Sequence, residues 1–195
     1  MLIAKLGGSL AAGALLPRWI ALFVAAPGPL VVVPGGGPFA DAVRAAQGKL
    51  GFGDAAAHHM ALLAMAQFGL AIAAMHPRFA VAADEPSIRA ALRRDAIPVW
   101  SPAAMALAAP DIPASWDVTS DSLAAWLAGR LRAPKLLLVK QVDVEPGDTA
   151  RDLADRGIVD PAFPAFLAAS GAQAAIAGPA DLARGSLHGT PVASA

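Results

Sequence analysis

Lys5, Asp121 and Lys140 are the side chains of this sequence best suited to chemistry, and two glycine turns indicate which chemistry. The run Leu30-Val31-Val32-Val33 is short, β-branched and wholly apolar, the pattern of a strand buried on both faces. It stops at Gly35-Gly36-Gly37, after which Pro38-Phe39-Ala40-Asp41-Ala42-Val43-Arg44 adopts a helical period. A strand that ends in glycines and restarts as a helix leaves bare backbone N–H groups at a positive helix end, where an anion, usually a phosphate, can be held. Gly36 is expected at positive φ in this turn. The design occurs earlier too, where Leu2-Ile3-Ala4-Lys5-Leu6 runs into Gly7-Gly8-Ser9. Two such turns, one beside a lysine, predict a site that handles phosphate groups.

The elements that must position these groups follow from the apolar pattern. Strands are predicted over 2–6, 30–33, 79–82, 97–100, 135–139 and 173–177, the fourth at an edge or strand start because of Pro98. Helices are predicted over 10–25, with a bend or break near Pro17, and over 39–49, 55–75, 86–94, 120–131, 161–170 and 180–184. Thr119 or Ser120 is placed to cap the helix from 120. The segments 48–53, 108–115 and 144–155 read as connections, and the tail from Gly185 as weakly structured. Strands alternating with helices imply a mostly parallel sheet covered on both faces, in one domain over 1–195.

Ligands of such sheets bind beyond the carboxyl ends of the strands. That rule brings Lys5, Gly7-Gly8-Ser9, Gly35–Gly37 and Lys140 to one edge, and the start of the 120–131 helix adds Thr119, Ser120 and Asp121. Phosphoryl transfer needs donors around the phosphates, cations to spread developing charge and an acid to hold those cations. The bland readings are a plain tight turn at Gly7-Gly8, a dipole-favoured acid at Asp121, a solvated Lys140 and a core His58. His58 and His59 are neighbours pointing apart on a helix, a poor metal pair. Neither a Walker A string nor GxGxxG is present.

Composition narrows the field. The 195 residues are 56% hydrophobic and 15% charged, enough for a full core. Fifteen basic residues balance fifteen acidic ones without forming a block, which argues against nucleic acid as partner. The absence of cysteine excludes disulfides, thiolate metal sites and cysteine nucleophiles. Met60 to Met75 is nearly continuous in apolar residues, but Gln67 interrupts it and histidines flank it, so a core helix is expected rather than a membrane span. No basic region precedes an apolar one at the start of the sequence, and a cytoplasmic protein is expected.

Taken in order, Lys5-Leu6-Gly7-Gly8-Ser9, Val33-Pro34-Gly35-Gly36-Gly37 and Thr119-Ser120-Asp121-Ser122 resemble the amino acid kinase family, which includes acetylglutamate, aspartate, uridylate and isopentenyl phosphate kinases. Within it the sequence is most similar to the short kinases of methanofuran biosynthesis. Lys5–Leu10, Pro34–Ala40, His58, the string Trp116–Leu123 and Val159-Asp160 with Phe163-Pro164 carry that likeness. The resemblance implies a three-layer αβα sandwich, ATP with Mg2+, and in-line transfer to (5-(aminomethyl)furan-3-yl)methyl phosphate in one-carbon cofactor synthesis. It implies that Lys5 binds the transferring phosphate and that Asp121 orients the lysines. Gly7, Gly8, Ser9, Ser120 and Asp143 would serve the nucleotide. Gly35, Gly36, Gly37, His58 and Thr119 would serve the acceptor. A homodimer is the common assembly.

The sequence departs from the family twice. A TDVDGxY-like string is usual after the late strand, and Lys140-Gln141-Val142-Asp143-Val144 retains only Val142-Asp143 of it. Many relatives carry a lysine in the segment matching Gly157–Phe166, where none stands here, and Lys140 is positioned to supply that charge instead. Two alternatives stay open at this point: another small phosphate or carboxylate acceptor, and a kinase-like subunit that binds without turnover.

Overall fold

The computed structural model describes residues 1–193, with Ala12 described by its backbone alone; the last two residues of the expected 1–195 domain lie outside the described residues. In chain order, β1 (Leu2–Leu6) runs through a 3-10 turn (Gly8–Ala12) into α1 (Leu16–Val24), and β2 (Leu30–Pro34) leads into α2 (Gly37–Leu50). The long α3 (Asp54–Ala74), β3 (Phe79–Ala82), α4 (Glu85–Arg93), β4 (Ile97–Trp100) and α5 (Ala103–Leu107) follow. The second half comprises α6 (Ser120–Leu131), β5 (Lys135–Val139), α7 (Ala150–Asp155), α8 (Phe163–Ser170), β6 (Gln173–Ala177), α9 (Pro179–Ala183) and β7 (Thr190–Pro191).

The strands form one sheet in the order β3-β4-β2-β1-β5-β6-β7, parallel except for β7. Period-two alternation sorts each strand's side chains between the two faces. Ile3, Val31, Val33, Leu136 and Leu138 join one core with Leu123, Leu127 and Phe163. Ala4, Leu6, Val32, Leu137 and Val139 join the other with Trp19, Phe23 and Leu182. Helices therefore cover both faces in an α/β/α arrangement, as the strand–helix alternation predicts.

Alanine content explains how closely the helices sit. α6 is buried along almost its whole length and packs between the sheet and α8. At Gly129 a Cβ would lie 3.2 Å from Ser170 Cα, so a larger residue there would push α8 outward. Among the described residues, α3 is the one helix long and apolar enough to cross a membrane. It packs against α2, α5, β2, β3 and β4 instead, giving Leu62 and Met65 to one core and Phe68 and Ile72 to the other.

Several expectations are corrected. The predicted 10–25 helix is broken rather than bent: the 3-10 turn ends at Ala12 and α1 starts at Leu16, with Pro17 in its first turn, where the missing N–H costs nothing. Pro98 does not mark an edge, which belongs to β3; it stands at the start of β4, whose pairing with β2 comes at Val99, after the proline has passed. α2 runs on through Gly48-Lys49-Leu50 and stops at Gly51, in the left-handed conformation. The stretch 144–155 contains α7, started by a Thr149–Asp152 capping box that the sequence does display. α5 and the short β7 are additions without a clear sequence signal.

Candidate active site

The same alternation that builds the cores brings the two lysines together. Lys5 shares its face of β1 with Ile3, toward α6. Leu6 is in register with Val139 on the neighbouring β5, so Lys140 is the next residue beyond that pair and shares its face with Leu138. Both ammonium groups thus arrive at the carboxyl end of the sheet beneath the first turn of α6. Asp121, in that turn, is 4% exposed and lies between them. Its Oδ1 is 2.9 Å from Lys5 Nζ, a close ion pair outside hydrogen-bond alignment, and its Oδ2 accepts a 2.7 Å hydrogen bond from Lys140 Nζ.

The electrostatics follow from that bridge. Burial pushes the Asp121 carboxyl up, but the charges of Lys5 and Lys140 outweigh it and hold the group at about 2. Burial, and then the charge of Lys5, push the Lys140 ammonium down to about 8 against the upward pull of Asp121 and Asp160. The bridge therefore carries two cations on one anion, an excess positive charge aimed at the cavity above it.

That cavity has a volume of about 290 Å³ and is bordered by Lys5, Lys140, Gly7, Gly8, Ser9, Gly36, Gly37, Thr119 and Ser120. Its far wall comes from Asp41 and Arg44 of α2, His58 of α3 and Trp116. Leu62, Met65, Val118 and Leu123 give it an apolar floor. The Arg44 guanidinium lies 4.4 Å from the Trp116 ring centroid, and Trp116 Nε1 donates to Gln47 Oε1 at 2.7 Å. His58 is buried, with Nε2 lacking a hydrogen-bond partner among the described residues. Burial, and then the charge of His59, hold its imidazole below the ordinary range.

The two glycine turns rest on one another, which the sequence does not show. A Cβ on Gly8 would overlap Gly37 N and lie 2.8 Å from Gly37 Cα, and one on Gly35 would meet Gly8 in the same way. Positive φ falls on Gly37 (+55°); Gly36 has a helical φ of −78°, and a side chain there would strike Ala40 Cβ instead. Gly8→Ala must push backbone against backbone. Misplacement of about 1 Å already costs roughly a hundredfold in rate. A turnover loss of that order is expected with about 1–3 kcal/mol of lost stability; activity assays beside thermal melts on the purified variant check both.

Not every residue singled out in the sequence reaches the cavity. Gly35 is buried below it and gives its N–H to Leu6 O. Asp143 turns away, accepting from Ala180 N at the start of α9. Gln141 donates to Ser9 O at 2.6 Å and so ties the segment after β5 to the first glycine turn. Arg44 and Asp160 were missed. Arg44 is two turns beyond a predicted glycine turn on an expected helix, a readable signal, whereas Asp160 belongs to the Val159-Asp160 string but nothing in the sequence names its partners.

The sequence profile of the amino acid kinase family matches residues 1–144, about three quarters of the chain. The chain belongs to the amino acid kinase family. Membership makes it a phosphotransferase. Solved structures similar to it include uridylate and isopentenyl phosphate kinases. Uridylate kinase from Archaeoglobus fulgidus superposes with a TM-score of 0.73 at 19% identity, covering 98% of this chain and 99% of that one. UMP kinase from Ureaplasma parvum gives 0.70 at 13% identity, covering 99% and 95%. An isopentenyl phosphate kinase gives 0.63 at 16% identity, covering 98% of each chain. No curated protein sequence matches.

Proposed function

We propose that this protein transfers a phosphoryl group from ATP to a small acceptor that already carries a phosphate, with (5-(aminomethyl)furan-3-yl)methyl phosphate as the acceptor. The observation that carries the reading is the Lys5–Asp121–Lys140 bridge at the head of a cavity framed by two glycine turns. In-line transfer spreads negative charge over the oxygens of the moving group, and two fixed ammonium groups meet that charge without reorganising. The amides of Gly7, Gly8 and Ser9, with Ser120, would hold the nucleotide phosphates, and those of Gly36 and Gly37 with Thr119 the acceptor phosphate. Asp143 would act only through the segment that shapes the nucleotide side.

ATP supplies the transferred group, and Mg2+ would accompany it. Asp121 is already engaged by both lysines, so magnesium would be held chiefly by phosphate oxygens and water, its usual preference. On the acceptor side, the apolar floor suits a small ring, Arg44 and His58 suit an anion, and Asp41, among the described residues the one carboxylate bordering the cavity, could meet an aminomethyl cation. A cytoplasmic homodimer is consistent with this reading, since ATP is available in the cytoplasm.

The test is ATP turnover against a panel comprising the furan phosphate, UMP, isopentenyl phosphate and carboxylate acceptors. Preference for the furan phosphate by about tenfold or more in kcat/KM is expected. Equal or better use of another acceptor would move the assignment to that one. Absence of turnover with every acceptor would favour a binding subunit, a reading to which the displaced Asp143 gives some support.

The pH profile offers a separate check. Lys140 must be cationic to act, so kcat/KM should fall as pH rises through about 8. Bound phosphates stabilise the cation, and the basic limb of kcat should lie higher. Lys140→Arg, whose guanidinium stays charged, should lose the limb near 8. Stability has the opposite sign. The folded Lys140 gives up its proton more readily than the unfolded one, so the cost of burying its charge is present below about 8 and fades as pH climbs toward the ordinary lysine range. The stabilising share of Asp121 is present above its unfolded value and is lost as pH falls toward about 2. Melting temperatures from pH 3 to 10 test both limbs.

A further inference from the structure

The first turn of α6 is not capped by its own residues. Thr119 occupies the cap position but makes no local side-chain bond; the job is done by Asp160, from the loop before α8 and beyond the stretch matched by the family profile. Asp160 Oδ2 accepts from Thr119 N at 3.0 Å, Thr119 Oγ1 at 2.8 Å and Ser122 N at 3.0 Å, and Oδ1 accepts from Ser122 Oγ. The carboxylate is 8% exposed. Its own backbone is held in turn: Phe163 N donates to Asp160 O, Ala162 N donates to Asp117 O, and Phe163 is fully buried in the core.

We propose that Asp160 is a positioning residue for phosphoryl transfer, fixing the first turn of α6 so that the Asp121 carboxylate meets Lys5 and Lys140 together. This rests on the transfer reading above. Asp121 lies between the two residues that Asp160 grips, so a shift or rotation of that turn carries its carboxylate off one lysine or the other. A threonine at the cap could have taken the Ser122 N–H alone. Burying a carboxylate from about 40 residues away costs desolvation that a local cap avoids. What the distant group adds is a fixed register between α6 and the core under α8. The charged groups facing Lys140 are Lys5, Asp121 and Asp160, so the same carboxylate also favours the Lys140 cation.

Two substitutions separate position from charge. Asp160→Asn removes the charge but can keep the geometry: the amide oxygen takes the Thr119 and Ser122 N–H groups, and Ser122 Oγ turns to accept from the amide nitrogen. Asp160→Glu keeps the charge and moves the carboxyl out by one bond, about 1.5 Å. The expected result is kcat within about threefold of wild type for Asp160→Asn and a fall of at least tenfold for Asp160→Glu, with the KM for ATP little changed in either. The reverse order, or wild-type kcat in folded Asp160→Glu, overturns the proposal. A readout free of turnover is the NMR titration of 13Cε-labelled lysine. Asp160→Glu should shift the Lys140 midpoint as its contact with Asp121 alters, and an unchanged midpoint also overturns the proposal. If no acceptor is turned over by wild type, the transfer reading fails while this titration still decides whether Asp160 sets the bridge.

Discussion

Asp121→Asn is expected to lower turnover by a hundredfold or more and to destabilise the fold by about 3–5 kcal/mol at neutral pH, the cost of breaking a buried ion pair. The reason is the arrangement of charge. Lys5 and Asp121 are 5% and 4% exposed, and both lysines depend on one carboxylate. Asparagine keeps the shape and a hydrogen bond to Lys140, yet removes the charge between two ammonium groups and leaves only Asp160 to favour the Lys140 cation. A carboxylate that served only the helix dipole would cost about 0.3–1 kcal/mol and leave the rate largely intact. The two outcomes are far enough apart for one purified variant to decide. The stability defect should also shrink as pH rises toward about 8 and level off above it, because Lys140 without the Asp121 charge sheds its proton below the wild-type value. A variant with a wild-type rate and a pH-independent melting difference would assign the carboxylate a structural role alone.

Lys5→Ala is expected to lower turnover by about 10²–10³, the range for removing one preorganised transition-state donor. Its effect on stability should be much smaller than that of Asp121→Asn. Lys5 is buried although it stands at a strand end, so the effect of its removal depends on the charges left behind. Removing it leaves Asp121 still paired with Lys140 and relieves the repulsion between the lysines. The Lys140 titration should therefore move upward in Lys5→Ala, since Lys5 is the second cause pushing it down. Turnover within a few-fold of wild type in the folded variant would remove Lys5 from the transfer step. Compared side by side, the variants should separate: Lys5→Ala inactive and nearly as stable as wild type, Asp121→Asn inactive and unstable.

The sequence by itself determined the elements that start and stop on strong local signals. The spans 79–82, 97–100, 120–131, 135–139 and 173–177 are read to the residue, because each is an apolar run closed by glycine, proline or a polar cap. The parallel sheet follows from their alternation, and the carboxyl-edge rule then places Lys5, Lys140 and Asp121 at one edge of that sheet. The motif strings that resemble the amino acid kinase family lie on this same frame.

Tertiary structure decided what depends on distances across the sequence. Only the β1–β5 register sets Lys140 one step past the partner of Leu6, on the same face as Lys5. Gly7-Gly8 and Gly35–Gly37 look like two independent anion turns, and only their approach shows that Gly8 is glycine because the Gly37 backbone lies against it, and Gly35 because the Gly8 backbone does. The cap of α6 illustrates the limit best: Thr119 reads as a local cap, because local propensity cannot see a carboxylate about 40 residues further on. A side chain's type can be read from its neighbours in sequence, but its partner is chosen by packing, and the partner fixes the charge and position on which the chemistry rests.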